Sequence, residues 1–194
     1  MKVGIIDYGI GNIKSVANSL SALNIDFIIS KNADELLKTD KVIFPGVGDA
    51  SFGMSKLKEN NLASFLKSTK KPVLGICLGM QLLCKQLEEN NTQGLGVFNL
   101  NVKKYKNDLP TPQVGWNKLI NFSSELFYDI PSNAYLYFVN SYFVEISTSY
   151  TIASSVYGQP FSAAIKKNNF YGTQFHPEKS GRVGKKILEN FLSI

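Results

Sequence analysis

Four short apolar runs, separated by stretches of helical periodicity, constrain this chain more than any other feature: KVGIID (2–7), DFIIS (26–30), KVIFP (41–45) and PVLGIC (72–77). Between the first two, Ile13, Val16, Ala17, Leu20 and Leu23 recur at the spacing of an amphipathic helix. ADELLK (33–38) predicts a short helix before the third run, and FGMSKLKENNLASFLKS (52–68) a longer one before the fourth. A helical crossover returns the chain in its original direction, so successive strands of this kind lie parallel. Near-continuous apolar strands also need cover on both faces. The expected fold is α/β, with a doubly wound, mostly parallel central sheet and helices on both faces.

After Glu89 the pattern changes. EENNTQGLG is turn-rich, and GVFNLNVKKYK, AYLYFVNSYFVEI, TIASSVYG and FSAAIKKNNFYGTQF read as strands of a smaller antiparallel β extension. Asn168-Asn169 marks a tight turn between two of them. From Ser180 a last helix puts Val183, Ile187, Leu188 and Phe191 on one side. No repeat or linker divides the 194 residues, so a single domain over 1–194 is expected.

Several function classes drop out. The net charge of +6 comes from scattered lysines with no arginine-rich stripe, which argues against a nucleic-acid partner. No apolar run approaches the roughly 18 residues of a membrane span, and the N-terminal run lacks the features of a secretion signal. A cytoplasmic location is therefore expected, with no membrane partner. Cys77 and Cys84 are seven apart and His176 is the one histidine, a set that suits neither a zinc site nor a disulfide framework. In DYGIGN (7–12), Lys14 stands where a dinucleotide fingerprint needs its third glycine. No metal and no cofactor are expected.

The chemistry concentrates in three places. Gly75-Ile76-Cys77-Leu78-Gly79 is G-x-C-x-G where a strand meets a helical pattern, the cysteine form of a nucleophile elbow. Glycines there allow a turn sharp enough to push the central side chain out of the sheet, and leave the Leu78 N–H where an oxyanion would form. A glycine-flanked core cysteine is the other reading. Cys84, a heptad further along the expected helix, reads as packing. Near the C-terminus, His176 and Glu178 face the same way if the chain stays extended, and Pro177 favours that geometry. Glu178 then orients the imidazole toward Cys77: nucleophile, base and orienter. Gly46-Val47-Gly48, after the third strand, is either a second oxyanion donor or an ordinary strand-to-helix loop.

PGVG, GICLGMQ and FHPEKS, in this order on this scaffold, resemble the class I (triad) glutamine amidotransferases. The likeness extends to the glutaminase subunits of imidazole glycerol phosphate synthase through DYGIGN, FPGVGDA, VGWN (114–117) and YFVNSY (137–142). The resemblance implies that Cys77 attacks the side-chain amide of glutamine, with His176 as base and Glu178 as its orienter. It assigns the oxyanion hole to Gly46, Val47, Gly48 and Leu78, and the amino-acid end of glutamine to Gln81, Ser141 and Tyr142. Ammonia would pass to a separate (β/α)8 synthase subunit in a heterodimer, facing Asn12, Trp116, Asn117, Tyr137 and Lys179. Gln113 and Asn140 stand where that family usually carries histidine. Both positions lie toward the partner, which leaves open a paralogous glutaminase feeding another synthase, such as one making amidino sugars of surface glycans.

Overall fold

The structure is a computed structural model that describes residues 1–106 and 108–194. Its first half alternates as expected: β1 (Lys2–Ile6), α1 (Ile13–Ser21), β2 (Asp26–Ser30), α2 (Ala33–Leu36), β3 (Lys41–Gly46), α3 (Ala50–Glu59), α4 (Leu62–Ser68), β4 (Val73–Cys77) and α5 (Leu78–Leu82). The second half is strand-rich: β5 (Cys84–Leu87), β6 (Thr92–Gln93), β7 (Phe98–Lys104), β8 (Gln113–Lys118), β9 (Tyr135–Asn140), β10 (Tyr142–Val144), β11 (Thr151–Tyr157), β12 (Gln159–Lys167) and β13 (Phe170–Thr173), closed by α6 (Gly181–Ser193).

The main sheet runs β2-β1-β3-β4-β13-β12-β10-β7-β5-β6, with β11 paired to β12. From β2 to β13 every ladder is parallel; beyond β13 the ladders to β12, β11 and β10 are antiparallel. β8 and β9 form a separate antiparallel ribbon. Strand alternation sorts the core into two layers. Val3, Ile5, Ile43, Leu74 and Ile76 meet Val16 and Leu20 of α1 and Ile187, Leu188 and Phe191 of α6. Ile6, Val42, Phe44 and Val73 meet Leu57 of α3 and Leu62, Phe65 and Leu66 of α4. Among the described residues no helix is long and apolar enough to cross a membrane.

Two helix expectations need correction. The helix over 52–68 is two helices, because Asn60 ends α3 and Asn61 takes a left-handed φ of +59° before α4 begins. Asparagine accepts that conformation better than other side chains with a Cβ. AYLYFVNSYFVEI is strand-rich as expected and divides at Ser141 into β9 of the ribbon and β10 of the main sheet. The helix after the elbow stops at Leu82, so Cys84 opens a strand. The carbonyls of Leu82, Leu83 and Cys84, which a longer helix would use, accept instead from the N–H groups of Leu95, Phe98 and Gly96 at 2.8–3.0 Å. Cys84 is nonetheless fully buried, in the packing role expected of it. The tight turn at Asn168-Asn169 joins β12 to β13, with Asn168 at φ +53°.

Candidate active site

The site lies at the carboxyl ends of β1, β3, β4 and β13, which are neighbours in the sheet. The strand order reverses between β1 and β3, and ligand crevices of open α/β sheets form at such a switch point. Gly46 at the end of β3 and Cys77 at the end of β4 are ladder partners.

Cys77 has φ +54° and ψ −111°, a strained backbone for a residue with a Cβ, and α5 starts at the next residue. The elbow depends on its glycines. A Cβ at Gly79 would lie 1.9 Å from the Phe44 carbonyl oxygen, and one at Gly75 2.9 Å from backbone atoms of Gly79 and Met80. Helix and strand approach too closely there for any side chain. The Cys77 sulfur is buried against the ribbon, 3.6 Å from the Val139 carbonyl.

His176 is 2% exposed, and its Nδ1 lies 2.8 Å from Glu178 Oε1. Nδ1 is thus taken by Glu178, and the influence of Cys77 on the ring's protonation places the sulfur close to the imidazole. The imidazole and the carboxylate are hydrogen-bonded, with the sulfur nearby. The local geometry differs from the extended segment expected. His176 is extended at φ −97° and ψ 96°, but Pro177–Lys179 forms a single tight helical turn. The turn carries the Glu178 carboxylate back under the ring; Pro177 serves as its first residue, where a missing N–H costs nothing. Burial pulls the imidazole's pKa down, but hydrogen bonds to Cys77 and Glu178 and the charges of both outweigh it and push it up to about 10.

Beside the sulfur opens a cavity of about 230 Å³. Its wall includes the expected Val47, Gly48, Leu78, Gln81, Ser141 and Tyr142. Gly46 is not on that wall; a Cβ there would lie 2.6 Å from the Tyr8 hydroxyl and from the Gly79 nitrogen. Gln81 Nε2 donates to the Tyr142 carbonyl at 3.0 Å and to Gln174 Oε1 at 2.8 Å. Gly48 has φ +93° with open space at its Cβ position, so its freedom is conformational.

Residues 4–194 match the family described as glutamine amidotransferase class-I. The chain belongs to this family. It is 46% identical over 197 residues, covering all of both chains, to imidazole glycerol phosphate synthase subunit HisH of Bacteroides fragilis strain YCH46. The protein of the same name from Escherichia coli strain K12 is 43% identical, again over both full lengths. Among solved structures, a putative GMP synthase component from Thermoplasma acidophilum superposes with a TM-score of 0.77 at 23% identity, over 100% of this chain and 92% of that one. PurLQS from Thermotoga maritima gives 0.72 at 18% identity, over 99% and 97%. These two likenesses concern the fold alone.

In this amidotransferase the residues expected to face a partner divide into two groups. Trp116 is exposed and stacks edge-on against half-buried Tyr137 at 6.1 Å, its ladder partner on the ribbon, and Lys179 is exposed. Asn117 is half-buried and donates to the Val156 carbonyl at 2.9 Å. Asn12 is half-buried and also reaches the site: its Nδ2 donates to Glu178 Oε1 at 2.9 Å, and its Oδ1 accepts from Ser15. Sequence reasoning missed Gln174, which is fully buried with Nε2 3.6 Å from the Cys77 sulfur, and Glu89, a carboxylate in the cavity wall. It also missed Ser180, whose hydroxyl donates to the His176 carbonyl at 2.7 Å and accepts from the Tyr137 N–H at 2.9 Å. Alternation from His176 could have found Gln174; nothing local could have found the others.

Proposed function

We propose that this chain is the glutaminase subunit of imidazole glycerol phosphate synthase, a single domain over 1–194 working in the cytoplasm. It hydrolyses glutamine to glutamate and passes ammonia to a separate (β/α)8 synthase subunit in a heterodimer. That subunit makes imidazole glycerol phosphate and AICAR in histidine biosynthesis. The observation that supports the chemistry is the His176–Glu178 pair close to Cys77, whose side chain lines a cavity of about 230 Å³. The names of the full-length relatives support the pathway.

The cysteine thiolate attacks the side-chain amide carbon of glutamine. Negative charge gathers on the amide oxygen, where the backbone N–H groups of Leu78 and of the Val47–Gly48 segment receive it. The C–N bond then breaks as the His176 imidazolium gives its proton to the leaving ammonia, leaving a γ-glutamyl thioester. Water attacks the thioester, His176 takes its proton, and the C–S bond breaks to release glutamate. An imidazole held protonated to about 10 is ready as the acid of the first half-reaction. Gln81, Ser141, Tyr142 and Glu89 hold the amino-acid end of glutamine, the Glu89 carboxylate meeting its ammonium.

The ribbon supports a route for control by the partner. Its outer face carries Trp116 and Tyr137, while the Tyr137 carbonyl accepts from the His176 N–H at 2.9 Å and the Val139 carbonyl touches the sulfur. A synthase docked on Trp116, Asn117, Tyr137 and Lys179 therefore sits one backbone layer from both catalytic groups. Glutamate release should rise when the synthase is added, and a γ-glutamyl adduct on Cys77 should be visible by mass spectrometry. Cys77→Ala should abolish both; undiminished turnover in that variant overturns the reading.

A further inference from the structure

We propose that Gln174 is a catalytic residue: its side-chain amide is a second hydrogen-bond donor to the Cys77 sulfur, beside His176, and Gln81 in the cavity wall fixes which way that amide points. The proposal rests on Cys77 being the nucleophile and adds a group to its immediate surroundings.

The orientation of the amide follows from a chain of donors anchored on a backbone atom. The Tyr142 carbonyl can only accept, so the Gln81 group 3.0 Å away is its NH2. That same nitrogen is 2.8 Å from the Gln174 side chain, whose facing atom must then be the oxygen. The Gln174 NH2 is left pointing at the sulfur, 3.6 Å away. The backbone is held as well, since the Gln174 N–H donates to the Ala163 carbonyl at 2.8 Å. Gln174 is fully buried, so no water competes for its amide.

The donor has a specific task. The Val139 carbonyl, 3.6 Å from the sulfur, accepts from a thiol and repels a thiolate. Two donors, His176 and Gln174, offset that carbonyl and favour the charged nucleophile, because a hydrogen bond to the ionised form stabilises it. Gln174 remains neutral at every pH, so its contribution persists after His176 has given its proton to ammonia. The titratable groups around the sulfur are His176 with Glu178 behind it, Tyr8 from the end of β1, and Glu89 in the cavity wall. Substitution at Gln174 leaves all four in place. Because Gln81 both lines the cavity and orients Gln174, an occupied cavity communicates directly with the sulfur.

The test is the pH dependence of iodoacetamide alkylation at Cys77 in the full chain, read by peptide mass, for the native protein, Gln174→Met, Gln174→Leu and Gln81→Leu. Gln174→Met keeps the length and carries the test where Gln174→Leu does not fold. The alkylation inflection is expected to rise by roughly one pH unit in the Gln174 variants, the size of one hydrogen bond to a charged group, and by less in Gln81→Leu. The kcat for glutamine should fall about ten-fold or more, with KM little changed. An inflection that does not move in Gln174→Met, at an unchanged melting temperature, overturns the proposal. Should the inflection move while Cys77→Ala still releases glutamate, the donor assignment stands and the glutaminase reading fails.

Discussion

Gln113 and Asn140 stand opposite each other in the β8–β9 ladder and meet at the hydroxyl of Tyr105, which lies 3.2 Å from Gln113 Oε1 and 3.2 Å from Asn140 Nδ2. Both side chains are buried, on the inner face of the ribbon. These are the two positions where the resembled family usually carries histidine, so the two departures are neighbours in one polar network. Asn140 Nδ2 also donates to the Tyr142 carbonyl at 2.9 Å, the atom that anchors Gln81. The replacement thus reaches the cavity wall without touching the triad.

Tyr105→Phe removes the shared hydroxyl and leaves the Gln113 oxygen buried without that partner. An unsatisfied buried polar group costs about 1–3 kcal/mol, so the urea midpoint should fall accordingly. A midpoint equal to that of the native protein would mean that the network contributes nothing.

Two glycine substitutions should separate packing from function. Gly79→Ala forces a Cβ to 1.9 Å from the Phe44 carbonyl oxygen, so strand and helix must part. Its expected cost is about 3 kcal/mol or more, with loss of the elbow. Gly48→Ala meets open space but a φ of +93°. It should cost about 1–3 kcal/mol in stability, while glutamine turnover falls further, by about 10²–10³-fold if the Gly48 segment supplies an oxyanion donor. Thermal melts and partner-stimulated glutamate release measure the two effects separately.

The raised His176 pKa makes a prediction with a definite sign. Below the unfolded value of 6.5 the ring is protonated in both states, and its stabilisation is fully present. Between 6.5 and about 10 the folded protein keeps a proton that the unfolded chain has released, so this stabilisation is lost as pH rises. The stability difference between the native protein and His176→Gln, from urea unfolding across that range, should shrink with increasing pH. A difference that is flat or growing would contradict an imidazolium held by Cys77 and Glu178.

Trp116 is 57% exposed, so Trp116→Ala should change stability by less than about 0.5 kcal/mol. If the ribbon face meets the synthase, the same substitution should weaken association by about 2 kcal/mol or more, as for a central aromatic anchor. Titration calorimetry with the synthase measures this, and unaltered affinity would move the interface elsewhere.

Cysteine alkylation gives an independent check on which thiol is reactive. Full burial pushes the Cys84 thiol far above its ordinary range. One equivalent of reagent should therefore enter the native protein, on Cys77, and a second only after denaturation. Labelling of Cys84 under native conditions would show that β5 opens far more readily than its buried position implies.

Much of this was legible in the residues. The apolar runs at 2–7, 26–30, 41–45 and 72–77 required parallel strands with covered faces, because a helical crossover reverses direction twice. G-x-C-x-G required a sharp turn, because only glycine lets helix and strand approach so closely. The expected pairing of His176 with Glu178 is present as a 2.8 Å hydrogen bond, although the extended chain assumed between them is a tight turn. Their proximity was readable because they are close in sequence, but the path between them was not.

The rest depended on groups distant in the chain. The end of α5 was set by Leu95, Gly96 and Phe98 taking carbonyls that a local rule would have left to the helix. Asn12 reached Glu178 across 166 residues, and Gln174 reached Cys77 across 97. Local sequence thus determined the strand-and-helix order and the types of reactive group, since backbone preference and side-chain periodicity act over a few residues. Only the tertiary structure decided which carboxylates, amides and carbonyls surround the sulfur, because burial makes a hydrogen-bond partner obligatory without naming it in advance.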